Sequence, residues 1–501
     1  MNGDMIQIWS VVALYVIAMV TIGIVSSKKT KTLTDFVVGS RKAGAWVSAF
    51  AYGTTYFSAV LFIGYAGRSG WDFGLWAILI GVGNAFIGTY LAWKVLAGRT
   101  RDVTRRLKIK TMPQMFEKRY MSRKMKIFSS VLIFIFMTPY SASVYSGLSY
   151  LCETVLNVDY KWAMLVIAII SAVYLVLGGY IASLSADFVQ GIIMIAGIIL
   201  MVITVANHDI VGGFVHGIGS VVDKMSQAGL TSFSWEMCIS LIGLILLTSL
   251  GSWGMPQMIQ KFYGVADEKG IKRGTIISTG FAALISIGAY FIGSLLRLFF
   301  TEVPGGNYDQ MIPTVLTSTL PAILLGVVLI LVLSASVSTL SGITLTSCST
   351  IAIDLVAGVL KPNISKKATF TLTRVLCLVF IAISYLIAIS KTPILLLMSF
   401  SWGTISGAFL APYLLGLWWK KMNKTGAWFG MIGGAGCSLV LAIVSGFNAG
   451  KAPIFGVIAM AFSFIMCIVG TLIGKKLGGK NSQVPEEFFD KSFTLQVGEG
   501  K

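Results

Sequence analysis

Charge is what this 501-residue sequence has least of. Asp, Glu, Lys and Arg make up 12% of it against 56% hydrophobic residues, whereas a soluble domain carries about 25% charged residues. That balance excludes a water-soluble globular chain. Histidine occurs only at His208 and His216, in one stretch between apolar runs, and both are read as ordinary loop residues. There is no HExxH, no GxSxG and no GxxxxGKS/T, so neither a zinc hydrolase, a serine hydrolase nor a P-loop ATPase is expected. The six cysteines (Cys152, Cys238, Cys348, Cys377, Cys437 and Cys467) show no CxxC spacing and suggest neither a disulfide framework nor a metal centre. The first twenty residues lack a basic leader and a small-residue cleavage motif, and are read as a retained span. These absences do not describe an enzyme. Whatever work the chain does must run on a gradient.

What is present is apolar runs, each about the 20 residues needed to cross a bilayer. They predict an all-α polytopic membrane protein with about thirteen spans: 7–26, 46–67, 74–96, 127–156, 161–179, 185–206, 235–256, 274–298, 316–356, 369–389, 393–418, 425–446 and 452–474. The ninth window is too long for one crossing and is expected to include an interfacial extension. Residues 1–475 then form one membrane domain, and 476–501 a short tail. Of 39 Lys and Arg, all but Arg68, Lys161, Lys224, Arg297, Lys391 and Lys451 fall in or beside the segments after spans 1, 3, 7, 9, 11 and 13. Positive residues stay in the cytoplasm. The N-terminus is therefore expected outside and the C-terminus inside, in the plasma membrane. The cationic run between spans 3 and 4 is read as a topogenic loop touching anionic lipid, with no nucleic-acid partner.

Polar residues inside spans are costly and therefore informative. They gather in four places. "AYGTTYFSAVLFIGYAG" (51–67) carries Thr54, Thr55, Tyr56 and Ser58. "LLTSLGSWGMPQ" (246–257) carries Thr248 and Ser252 among Gly251, Gly254 and Pro256. "SASVSTLSGITLTSCST" (334–350) is the densest hydroxyl run, and "LSADFVQ" (184–190) places Asp187 just inside one end of span 6. Any one cluster is open to a plainer reading, because Gly and Ser also serve close helix packing and Asp187 could decorate a helix start. Spans 2 and 7, however, are five helices apart and cross in opposite directions. Two glycine-interrupted helices so placed point to a transporter with inverted repeats, spans 2–6 and 7–11. Carbonyls freed by a break need a partner in lipid, and a dehydrated cation is one. Oxygen-only ligands suit Na⁺. Gly53 is expected to permit the first break, and the half-helix beyond it to offer N–H groups to a solute carboxylate.

"FVVGSRKAGAWVSAFAYGTTYFSA", "GGYIASLSADFVQG", "GMPQMIQKFYGV" and "LSASVSTLSGITLTSCSTIAIDL" resemble the sodium:solute symporter family, and its proline-transporting members most. The likeness runs from about residue 5 to 475. It implies a leucine-transporter-type fold and Na⁺ held by the carbonyls of Thr54, Phe57 and Ala335 with the hydroxyls of Ser338 and Thr339; the chain is expected to work as a monomer. Positions 335, 338 and 339 do share a helical face. Asp187 matches an acidic residue important for sodium coupling. With Ser341 it could form part of a second site, though Gly342 stands where a further serine would be. For the solute, the resemblance implies Ser58, Tyr140 and Pro256. Tyr56, Thr248 and Ser252 depart from the proline-type pattern, which puts proline itself in question. An amino acid or small carboxylate is expected; a sugar or sialic acid symporter, or an uncoupled facilitator on the same scaffold, stays open.

Overall fold

Inside a bilayer each backbone N–H and C=O must be satisfied within its own segment, which makes helices the default for apolar runs like these. The computed structural model describes residues 3–27, 36–37, 41, 43–232, 234–478 and 484–490. Among them the only β-pairing is an isolated bridge between Ala43 and Val265, and eleven helices are long and apolar enough to cross a membrane. The expected thirteen are reached through two segments that length alone misses. The window at 46–67 is split: a helix runs Ala45–Tyr56, stops, and resumes into a stretch that continues to Arg106, turned at Gly74 (φ 58°). The window at 161–179 is a shorter apolar helix, Tyr160–Val173. It joins the next span through Gly179, whose φ of 56° and ψ of −149° turn the chain without a loop. A left-handed φ of this kind is one that glycine adopts at little cost. The over-long ninth window resolves into Met311–Thr319, then Pro321 as the N-cap of Ala322–Ser349.

The two interrupted helices lie side by side and antiparallel. Ala43 N–H donates to the Gly264 carbonyl and Ala266 N–H to the Ala43 carbonyl, both at 3.1 Å, so the start of one meets the end of the other. Tyr52 stacks on Phe262 with ring centroids 5.3 Å apart. This is the relation expected of matching helices in inverted repeats.

The cationic run is built into the protein. Arg119 is 1% exposed and donates to the Gly416 and Met422 carbonyls at 2.7 and 3.0 Å, while Arg101 donates to the Val265 carbonyl at 3.0 Å. These arginines satisfy carbonyls left over at helix ends. Of the expected tail, 479–483 and 491–501 lie outside the described residues, as do 38–40 and 42 of the first motif. Phe488 in the described part packs over the Arg119 guanidinium at 5.5 Å.

One buried carboxyl sits between spans. Asp309, in the turn before Met311, accepts from the N–H of Ile394, the first residue of the helix Ile394–Trp418, at 3.2 Å. Burial pushes this carboxyl up to about 6, and the Ile394 N–H and nearby Arg68 only partly oppose that. A raised carboxyl holds its proton more tightly folded than unfolded. Its contribution is therefore fully present below about pH 4 and lost as pH rises through 6, about 3 kcal/mol in all. Asp309→Asn keeps an acceptor for Ile394. We expect it to flatten the pH dependence of thermal stability between pH 4 and 6 and to raise the melting temperature at pH 7.5, as differential scanning fluorimetry in detergent would show.

Candidate sodium and solute site

The first break begins where the helix Ala45–Tyr56 meets Phe57, whose φ of −105° and ψ of 131° are extended. Helical geometry resumes at Ala59. Gly53 is not the hinge. It lies inside the helix, and a Cβ there would come within 2.4 Å of the Phe281 ring, so its smallness serves close packing. The second break runs through a 3₁₀ turn at Gly251–Gly254 and an extended Met255, after which Pro256 opens a new helix to Tyr263. Proline suits that first position because its missing N–H would be unsatisfied anyway.

The helix Ala322–Ser349 delivers its hydroxyls to the first break. The Thr339 hydroxyl lies 3.0 Å from the Ala335 carbonyl, 3.1 Å from that of Thr55, and 3.3 Å from those of Thr54 and Phe57. A hydroxyl has one proton to give. Four carbonyl oxygens around it are an excess of acceptors in a dry place, which a cation among them would resolve. Ser338 stands beside this cluster, 2.9 Å from Thr54 Oγ1 and 2.7 Å from Asp187 Oδ1. Thr54 Oγ1 spends its own proton on the Phe50 carbonyl. The carboxylate is the stronger acceptor, so Ser338 gives its proton to Asp187 and keeps lone pairs for an ion. All five expected sodium ligands are thus brought together, with the Thr55 carbonyl as an addition.

Asp187 has a partner that charge counting hid. Lys261 Nζ lies 2.9 Å from Asp187 Oδ2, with side-chain exposures of 2% and 0%. As a sequence feature Lys261 reads as a loop charge after span 7. In the fold it sits on the buried helix after the second break. Its place one turn past "GMPQ", inside the short helix the break opens, was the available signal.

Of the expected solute residues, Tyr56, Ser58 and Thr248 line a common cavity of about 20 Å³, joined by Asn84, Tyr290 and Trp402. That is room for about one water, so admitting a solute requires the walls to part. Tyr140 stands behind Trp402, ring centroids 5.6 Å apart. Ser252 and Pro256 lie in the second break, off this wall; Ser252 donates to the Ser249 carbonyl at 2.8 Å. Asn84, unremarked in the sequence, organises the other side: its Oδ1 lies 2.9 Å from Thr248 Oγ1 and 3.0 Å from Ser249 Oγ, and 3.3 Å from the Tyr56 hydroxyl, which donates to the Thr248 carbonyl at 2.7 Å. Tyr56 therefore offers the cavity a ring face rather than its hydroxyl. The N–H groups expected to await a carboxylate are already held, Ala59 by Ser336 Oγ and Val60 by Ser58 Oγ, both at 3.2 Å. Among the described residues near this cavity, the Tyr140 and Tyr290 hydroxyls and Trp402 Nε1 have no hydrogen-bond partner. A second cavity, of about 400 Å³, is lined by Arg68, Asp72, Glu236, Leu244 and Leu395. It ends about one helical turn from Thr248 and Met398 of the first.

The chain is similar to several transporters. An osmoregulated proline transporter of Bacillus subtilis is 29% identical over 93% of this chain and 94% of its own length. A sodium/proline symporter of Haemophilus influenzae is 29% identical over 84% and 85%, and a sodium/pantothenate symporter of the same organism 26% identical over 90% and 92%. Among solved structures, a Na⁺-coupled sialic acid symporter in a substrate-bound outward-open state superposes with a TM-score of 0.78 at 20% identity, covering 96% of this chain and 99% of that one. Mhp1, a nucleobase-cation-symport-1 transporter in a closed conformation, does so at 0.53 and 14% identity, covering 91% and 98%. The profile of the sodium:solute symporter family matches residues 36–434. With two antiparallel broken helices and converging oxygens, this multi-pass membrane protein, a transporter rather than an enzyme, belongs to the sodium:solute symporter family.

Proposed function

We propose that this protein imports a small amino acid or carboxylate solute, proline among the first to test, driven by Na⁺ moving down its gradient. The observation that carries this reading is the Thr339 hydroxyl faced by four carbonyls from two helices. Na⁺ among them would draw the first broken helix onto the helix Ala322–Ser349 and so complete the solute cavity beside it. Solute and ion would then leave together on the other side by alternating access.

The cavity lining supports the solute class. Tyr56, Phe57 and Trp402 present aromatic faces, with Tyr56 and Phe57 centroids 4.6 Å apart and Tyr56 and Trp402 6.3 Å apart. Such faces attract an ammonium. The unpartnered Tyr290 hydroxyl and Trp402 Nε1 in the lining suit a carboxylate. Among the described residues, no lysine, arginine or acidic side chain lines the cavity, so both ends of a zwitterion would be met by neutral groups. The charge asymmetry supports an N-terminus outside and a C-terminus inside the plasma membrane. The 400 Å³ cavity, flanked by Arg68 and Asp72, is then the outer vestibule. In this reading residues 1–475 form one membrane domain that carries the path and works as a monomer.

Uptake into proteoliposomes tests this directly. Labelled L-proline, pantothenate and a panel of small amino acids are offered under an inward Na⁺ gradient, then with K⁺ in place of Na⁺. We expect one of them to accumulate above its external concentration only with Na⁺. Equilibration at the same rate without Na⁺ would show an uncoupled facilitator instead.

A further inference from the structure

We propose that Lys261 is a built-in second cation: its ammonium fills the anionic oxygen cluster around Asp187, so the protein binds one Na⁺ and not two. The inference rests on the Na⁺-coupled reading above and fixes its ion count.

The cluster has the make-up of a cation site. Asp187 contributes both oxygens, Oδ1 to Ser338 at 2.7 Å and Oδ2 to Lys261 Nζ at 2.9 Å. Ser183 Oγ stands 3.5 Å from Asp187 Oδ2 and 3.2 Å from Ser341 Oγ. Ser183, Asp187, Ser338 and Ser341 are each 3% exposed or less. One carboxylate and three hydroxyls from two helices, sealed from water, are ligands a hard cation accepts. Here a cation is already present, tethered by the second broken helix. Tyr180 faces the same ammonium, its ring centroid 5.4 Å from Nζ.

Charge balance decides the occupancy. With Lys261 present the cluster is neutral, and a Na⁺ added to it would leave a net positive charge in a medium where like charges repel strongly. With Lys261 neutralised, the cluster carries a bare buried carboxylate, which demands a counter-ion. A tethered ammonium also needs no recruitment from solution. The arrangement ties the ion count to the conformation, because Lys261 and Asp187 stand on separate helices and Ser338 links Asp187 to the main site.

Equilibrium ²²Na⁺ binding to the purified full-length protein in detergent at pH 8, without solute, counts the sites. We expect about one Na⁺ per chain for the wild type and for Lys261→Arg, about two for Lys261→Met, and about one again for Lys261→Met/Asp187→Asn. A wild-type count of two overturns the proposal. So does a monodisperse Lys261→Met that still binds one, since the freed carboxylate would then have taken a proton instead. Should Lys261→Met not yield monodisperse protein, the wild-type count alone decides: one supports the proposal and two ends it. A wild type that binds no Na⁺ would instead remove the sodium reading itself, a separate failure.

Discussion

Thr339→Ala should weaken the apparent Na⁺ affinity of uptake roughly ten- to a hundredfold while leaving solute affinity at saturating Na⁺ nearly unchanged. The magnitude follows from losing one oxygen ligand to a charged group, worth about 1.5–3 kcal/mol. The position is singled out because the Thr339 hydroxyl alone reaches Thr54, Thr55, Phe57 and Ala335. Thr339→Ser keeps the oxygen and should keep the affinity. Ser338→Ala should fall at the lower end of the range, since Thr54 Oγ1 stays beside the site. Initial rates of uptake against Na⁺ concentration decide the matter. Wild-type Na⁺ dependence in both alanine variants would mean that the ion binds elsewhere.

Asp187→Asn should cost more than any other single change near the ion path. The substitution is nearly isosteric, so a residue that merely starts a helix would tolerate it. In the fold it strips the counter-charge from Lys261, which is 4% exposed and has the Asp187 carboxylate at 2.9 Å. Removing one partner of such a buried pair costs about 3–5 kcal/mol, whereas replacing both by apolar groups is often neutral. Asp187→Asn should therefore lower the melting temperature and abolish uptake. Adding Lys261→Met should return most of the stability without returning normal transport, because Ser338 still lacks its carboxylate. Asp187→Glu, which keeps the charge, should be the milder single change. A stable Asp187→Asn variant with ordinary coupling would reduce the pair to decoration.

These two expectations draw on different sources. Residue order along the chain was enough for the helical class, the membrane, the approximate span count and the two breaks. Each of those is local: an apolar run long enough to cross, or glycines and a proline that interrupt one. It was enough also to propose the sodium ligands, because 335, 338 and 339 fall on one helical face and family resemblance pairs them with 54 and 57. What order could not show was which buried groups meet across the fold. Lys261 and Asp187 are 74 positions apart, and a lysine just past a break reads the same whether it ends in the loop or against a carboxylate. Asn84 likewise looked like a lone polar residue until Tyr56, Thr248 and Ser249 arrived at its oxygen from two other helices. Gly53 reads in the sequence as permission for the break, and only the position of Phe281 showed that packing, not bending, requires a glycine there. Hydropathy and helix breaking are properties of neighbouring residues, so the sequence alone determined them. Ion pairing and ligand convergence depend on where distant helices come to rest, and that only the tertiary structure decided.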